Sequence, residues 1–505
     1  MNTENTSVYS DTRGQIGNGD GTGSSATAGL TLGDQLAQSP VVTQAIATLV
    51  GEYTSRSAQL HDAKPGDPGM KESYEAYMKR AADVRGRGLL YPYLGSGIGR
   101  GSLVELADGS VKWDMITGIG VNFFGHGDPD MLATTLRANM TDTVMAGNLQ
   151  SNFDHYKFGE TLLELAKRNS KLAHVFLSTS GAMANENAVK VCYQKHAPAS
   201  RVIAFKDCFM GRSVTMSQIG DSAANRIGVP LSTQVDYMPF YDSVTAERMG
   251  KKKYIDMSVW HLMQYIERYP KQHACFIFEL VQGEGGFNVG DRDWIKALMD
   301  VCKANRIAVW DDEIQCFGRT EQMFAYEYFG VGEYVDVFCV GKMTQVCATM
   351  YTAEYNPGPG LLSGTFVGGP VPFAAGTRVL ERLRDGDFYG PDGKFAKHHA
   401  IFRRYMKELA AKHPAWFPPV MGPFGPAVDD IVGGTGGMMR FSPFGGVKEK
   451  INKACKHLFD EGVIVFYCGH GPYHLRLLPP LPVFDEADWP KVFACLERGL
   501  AKAAV

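Results

Sequence analysis

The sequence predicts an α/β protein: a mostly parallel sheet with helices on both faces, followed by a smaller C-terminal domain. Two observations carry this. Short apolar runs alternate with helical stretches at HVFLST (174–179), RVIAF (201–205), ACFIFELV (274–281), RIAVWDDE (306–313) and YVDVFCVG (334–341). Those runs are continuous rather than alternating, the pattern of strands covered on both sides.

Residues 1–32 are rich in Gly, Ser, Thr and Asn, too polar to bury a core of their own. Residues 1–40 are therefore expected to form a flexible tail. Residues 41–125 read as an N-terminal segment: a helical pattern, a Gly-rich loop (86–101), then a meander (102–128) whose ADGS turn separates two alternating runs, a hairpin signal. Between the third and fourth apolar runs, Trp294, Leu298, Val301 and Cys302 fall at helical spacing. The large domain is expected over 126–375. From about residue 376 the texture shifts to helix, a Pro/Gly-rich loop (414–430) and short strands, which assigns 376–505 to the small domain.

Composition excludes several function classes. The chain has 505 residues and a formal net charge of −3, without the basic excess that nucleic acid or an anionic membrane demands. No apolar stretch reaches the roughly 18 residues of a membrane span, and residues 1–32 lack the pattern of a secretory signal. Ten cysteines are scattered with no CxxC pair, which fits a reducing, cytoplasmic setting and no metal site.

In open α/β sheets, ligands gather beyond the C-terminal strand ends. The first run ends in STSGAMANENAVK (178–190), where Ser180, Gly181 and Ala182 open a helix whose free N–H groups suit a phosphate. The second leads to Phe209, an aromatic, and Arg212, a planar fork for a carboxylate. The third ends in QGEGG around Glu284. The fourth ends in Asp311, Asp312 and Glu313, three carboxylates that repel one another unless a cation is near. The ordinary alternative is that Asp311 caps a turn and Glu313 is solvated. The fifth ends at Lys342, one strand–helix–strand unit after Asp312. A lysine, a phosphate anchor and an acid to face a ring nitrogen together suit pyridoxal phosphate, with Lys342 forming the Schiff base.

The sequence resembles the class III, fold-type I pyridoxal-phosphate aminotransferases, the lysine, ornithine and 4-aminobutyrate group. SGAMANENAVK, FMGRS, ELVQGEGG, DDEIQCFGRT, FAYEYFGV, VGK, GTFVGGP and LRLLPPL occur in that family's order over roughly residues 100–480, and GKMTQVC is most similar to the lysine 6-aminotransferase branch. The resemblance implies a fold-type I core with a small α+β domain drawn from the N-terminal segment and the C-terminus. It implies catalytic roles for Lys342, the Schiff-base lysine, and Asp312, on the pyridine nitrogen. It implies cofactor contacts from Ser180, Gly181, Ala182, Phe209, Glu279 and Gln315, and from Thr365 across a homodimer interface. It further implies that Arg212 holds an ω-carboxylate, that Arg476 holds an α-carboxylate, and that Glu284 gates Arg476. The expected reaction moves an ω-amino group from an amino acid or amine to a 2-oxo acid such as 2-oxoglutarate.

Met210, Leu280, Gly369 and Asp128 depart from the family's usual His, Pro, Asn and His. Tyr91 and Tyr93 are candidates for the substrate entrance, with loop packing the equally good alternative. Rival readings are a racemase, aminomutase or decarboxylase on the same fold, or an amine- or aldehyde-specific transaminase. A dinucleotide site at GSGIGRG (95–101) is disfavoured, because no buried strand precedes it and no helix follows.

Overall fold

The computed structural model describes residues 30–142, 145–422 and 425–505. Most of the expected tail, residues 1–29, lies outside them. Where the tail is described it carries structure: Leu32–Ala37 is helical, started by a capping box in which Thr31 and Asp34 exchange hydrogen bonds.

A seven-stranded sheet forms the centre. Its strands in chain order are β1 (Leu172–Ser178), β2 (Arg201–Phe205), β3 (Gln234–Met238), β4 (His273–Phe278), β5 (Ala308–Asp312), β6 (Val337–Val340) and β7 (Cys347–Thr352). In space they run β1-β7-β6-β5-β4-β2-β3. Strands β6, β5, β4, β2 and β3 are parallel, and β7 runs antiparallel to both β6 and β1. Two reversals restore direction, so β1 ends on the same sheet edge as the parallel strands.

Both faces of this sheet are dry. On one, Trp310, Cys339 and Ile277 pack against Ala184, Ala188 and Cys192 of the helix Gly181–His196. On the other, Phe278, Val309, Phe338 and Val340 join Trp294, Leu298 and Cys302 of the helix Arg292–Ala304. Asp291 starts that second helix by accepting from the Asp293 and Trp294 N–H groups.

The hairpin signal is realised as Leu103–Leu106 paired antiparallel to Val111–Asp114. The supposed Gly-rich loop is corrected in part: Gly95–Arg100 is a strand paired with Leu103–Leu106. Glycine serves close approach there, since a Cβ on Gly99 would lie 2.4 Å from the His126 Cβ. The fourth strand of this sheet is Val463–Ile464, parallel to Val111–Asp114, so the two ends of the chain build one small domain. A second four-stranded sheet, in the order Val432–Thr435, Met438–Phe441, His474–Leu477, Phe466–Cys468, completes it.

The boundary at 375/376 falls inside a helix. Pro370–Asp385 is continuous and packs on the helices Phe153–Ala166 and Pro129–Ala138, because Pro370, not residue 376, begins it. Asp128 caps Pro129–Ala138 through the Met131 N–H and also pairs with Arg382 at 2.8 Å, which accounts for an acid at that position. Tyr91 is a packing residue rather than an entrance: its hydroxyl donates to the Val465 carbonyl at 2.5 Å and its ring stacks on Phe459.

Candidate active site

The C-terminal ends of β1, β2, β4, β5 and β6 converge on one edge of the sheet. After β6, Gly341 leads into a single tight turn, Lys342–Thr344. Lys342 adopts a φ of +55°, a left-handed conformation that non-glycine residues rarely accept and that marks functional sites. Its amino group has no hydrogen bond or ion pair with the described residues. Burial lowers its pKa below the ordinary lysine value. Glu284, Asp312 and Glu279 oppose that shift and Arg476 adds to it.

Asp312 closes β5 on the face covered by the helix Gly181–His196. Its Oδ2 accepts from Asn185 Nδ2 at 2.7 Å and its Oδ1 from the Ile314 N–H at 3.0 Å. Burial raises its pKa to about 6, against the lowering pull of Asn185, the Ile314 N–H and Lys342. Asn185 also donates to the Met210 carbonyl at 2.9 Å, so one amide ties the helix, the β2 loop and Asp312 together. Sequence reasoning missed Asn185. The available signal was an asparagine inside a helix, a position that asparagine does not favour.

The helix Gly181–His196 starts at Ser180, whose hydroxyl accepts from the Met183 N–H at 3.3 Å. The N–H groups of Gly181 and Ala182 lie in the first turn, beyond the helix's own ladder. Glu279 is buried one residue past β4, accepting from the Phe209 N–H at 3.3 Å and the Gly283 N–H at 3.2 Å. Burial and Asp312 push its pKa up to about 8. It thereby anchors both loops that flank the site.

Glu284 and Arg476 form an ion pair, Nη2 to Oε1 at 2.7 Å. Gln315 bridges them: its Oε1 accepts from Arg476 Nη1 at 2.9 Å and its Nε2 donates to Glu284 at 3.3 Å. Burial pushes the Glu284 carboxyl up, but Arg476, Lys342 and Gln315 outweigh it and hold the carboxyl below the ordinary glutamate value. The Arg476 side chain is 0% exposed and lies between the rings of Phe287 and Phe466.

Two expected residues stand apart. Arg212 is exposed, and its Nη1 donates to Asn225 Oδ1 at 2.6 Å. Among the described residues it shares no hydrogen bond or ion pair with the Lys342 cluster, but its guanidinium carbon lies 5.7 Å from the ring centre of Phe209. Thr365 is exposed in a loop fastened to residues 146–148 by the Ala146–Gly368 bridge and by Asn148 to Ser363. Glu313 is not solvated: it is buried and accepts from the Ala325 and Tyr326 N–H groups, both at 2.8 Å, starting the helix Ala325–Phe329.

These residues fit pyridoxal phosphate. A half-buried amine without a partner among the described residues, a buried carboxyl held by an amide, and two N–H groups at a helix start outside its ladder supply a covalent anchor, a ring-nitrogen partner and a phosphate seat.

Comparison with known proteins agrees. Residues 96–498 match the model of the aminotransferase class-III family. The chain is 26% identical over 419 residues to the diaminobutyrate–2-oxoglutarate transaminase of Oceanobacillus iheyensis, covering 78% of this chain and 89% of that one. It is 27% identical over 446 residues to the 4-aminobutyrate aminotransferase of Mycobacterium tuberculosis, covering 83% and 93%. The solved lysine aminotransferase of M. tuberculosis shares the fold with a TM-score of 0.69 at 21% identity, over 84% of this chain and 98% of that one. The chain belongs to the class-III aminotransferases, and it is a pyridoxal-phosphate-dependent enzyme of fold-type I.

Proposed function

We propose that this aminotransferase takes its amino group from an ω-amino donor, in the class of 2,4-diaminobutyrate, 4-aminobutyrate or lysine, and delivers it to 2-oxoglutarate in two alternating half-reactions. The observation that carries this reading is the Glu284–Arg476 pair beside Lys342. An ω-amine presents no carboxylate next to its reacting carbon. With that donor bound, Glu284 keeps the buried Arg476 neutralised. A 2-oxo acid brings its own carboxylate to Arg476, and Glu284, 24% exposed and bonded through one oxygen, is free to release. One pocket thus serves two differently charged substrates without stranding a buried cation, a loss on the order of 3–5 kcal/mol.

Lys342 would bond the cofactor's aldehyde carbon, Asp312 would face its ring nitrogen, and Phe209 would cover the ring. Ser180, Gly181 and Ala182 would seat the phosphate. The bound cofactor supplies an electron sink for the carbanion formed at the amine-bearing carbon. Lys342, whose pKa burial lowers, would move the proton on and off that carbon as general acid–base. Asp312, ionised above its pKa of about 6, keeps the ring nitrogen protonated at neutral pH. Glu279 holds the two loops through the Phe209 and Gly283 N–H groups. Arg212 would meet the far carboxylate of an acidic donor after leaving Asn225.

A second copy of the chain would supply Thr365 to the phosphate seat. Support comes from the apolar side chains exposed near this loop, Leu149, Phe153, Tyr156 and Phe366, which a monomer rarely leaves open.

The test is a donor screen with 2-oxoglutarate as acceptor, wild type against Glu284→Ala. The wild type is expected to accept ω-amino donors with ping-pong kinetics. The variant is expected to lose rate with ω-donors while gaining with α-amino donors such as alanine, because Arg476 is then always open. An equal loss with both donor types would overturn the gate, and a wild type inert to every ω-amino donor would overturn the proposed substrate class.

A further inference from the structure

A cavity of about 950 Å³ lies between the large domain and the C-terminal sheet. Neither Lys342 nor Asp312 lines it. Its walls include Phe287 and Asn288 from the Glu284 loop, Asp207 and Tyr241 from the strand-end loops, and Arg440 and His474 from the small domain.

Arg440 is the cross-strand neighbour of Arg476, and the Nε of each is buried without a partner among the described residues, but their terminal nitrogens differ. Arg476 distributes its donors to Glu284, Gln315 and the Gly283 carbonyl. Arg440 is only 7% exposed and makes one hydrogen bond, Nη1 to Ser442 Oγ at 3.2 Å. Its Nε is buried with no partner. The carboxylates on its own wall are already engaged: Asp430 by Arg403 and by Lys407 at 3.3 Å, and Asp429 by the Ser243 hydroxyl at 2.9 Å. Space for the guanidinium is built in. Gly433 lies directly across from it, and a Cβ there would stand 2.4 Å from its central carbon.

Ser442 ties a second wall residue to it: its oxygen accepts from Arg440 Nη1 and lies 2.7 Å from His474 Nδ1. Burial and the Arg440 charge hold the His474 pKa well below the ordinary value, so the ring is neutral and leaves the Arg440 charge uncompensated. A planar guanidinium fork beside an open cavity matches an oxyanion, and a buried cation whose partner is a neutral hydroxyl is costly until a counter-charge arrives.

We propose that this cavity is a second ligand site, apart from the reacting centre, where Arg440 binds the oxyanion of a small carboxylate or phosphate. The site does not depend on which amine the enzyme uses.

Calorimetric titration of the holoenzyme with inorganic phosphate and, separately, with glutarate tests it. At least one anion is expected to bind the wild type, and Arg440→Gln is expected to weaken it at least about tenfold. Arg476→Gln, which removes the carboxylate partner of the reacting centre, is expected to weaken that binding less than Arg440→Gln does, any loss reflecting its place directly across the strands from Arg440. Binding of glutarate alone assigns a carboxylate ligand, and binding of phosphate alone assigns a phosphate. If Arg440→Gln fails to load cofactor, Gly433→Ala, whose methyl displaces the guanidinium, must show the same loss. The site is overturned if neither anion binds the wild type, if binding survives in the variant that loads cofactor, or if it disappears with Arg476→Gln.

Discussion

Asp311 and Asp312 are adjacent in sequence and opposite in fate. A strand sends successive side chains to opposite faces, so Asp312 looks toward the helix Gly181–His196 and Asp311 into the apolar layer with Phe338 and Val309. Asp312 receives an amide and a backbone N–H and titrates at about 6. Asp311 receives neither: both its oxygens are buried without a donor. Burial and the charge of Glu313 drive its pKa well above the ordinary value, so Asp311 keeps its proton. Position in sequence did not decide which acid serves the chemistry. The donors each face supplies did.

The largest effect that would break this contrast is on the reactive face. Lys342→Ala is expected to lower kcat by about 10²–10⁴-fold and to remove the borohydride-reducible chromophore, both read on purified protein. Asp312→Asn comes next, with a loss of about a hundredfold in kcat/KM. The wild type's cofactor affinity should carry the same signature. Without cofactor Asp312 titrates at about 6, and a protonated ring nitrogen beside it lowers that pKa. Affinity should therefore hold steady above about pH 6 and fall as pH drops through it, because the proton then competes with the cofactor. Absorbance titrations of the apoenzyme at several pH values would read this, and Asp312→Asn should flatten the curve.

Asn185→Ala sharpens the contrast by removing the amide alone. The Asp312 pKa should rise, moving the affinity break to higher pH and weakening cofactor binding roughly tenfold at neutral pH. The smallest effect is on the other face. Asp311→Asn replaces one neutral group by another and should change kcat by less than about twofold. Its signature is in stability. An acid whose folded pKa is raised contributes stability that is whole below the unfolded pKa near 4 and is lost as pH climbs toward the folded value. Glu313, raised to about 8 by burial, shares that window. The melting temperature of Asp311→Asn should therefore gain on the wild type as pH rises from about 5 to 8, and a flat difference would deny Asp311 its proton.

What the sequence made legible follows from local signals. Continuous apolar runs marked β1, β2, β4, β5 and β6, and their ends brought Asp312, Glu284 and Lys342 forward as candidates. The strand β7 escaped because it begins five residues after Lys342 and reverses direction, which periodicity does not report. Gly95–Arg100 was hidden by its glycines, which are poor strand formers unless another backbone must come close. The domain edge near 375 followed a change of texture, yet the helix Pro370–Asp385 carries the large domain's packing across it. Arg440 was invisible because nothing local distinguishes an arginine with partners from one without. That distinction belongs to the fold.

The sheet that joins the two ends of the chain bears on how the protein is made. Val111–Asp114 emerges from the ribosome hundreds of residues ahead of Val463–Ile464, the strand that covers its open side. Through most of synthesis that edge offers unpaired backbone groups to any passing strand, and such distant pairing closes slowly. A nascent chain of this protein should thus depend on chaperone shelter until Val463–Ile464 is released.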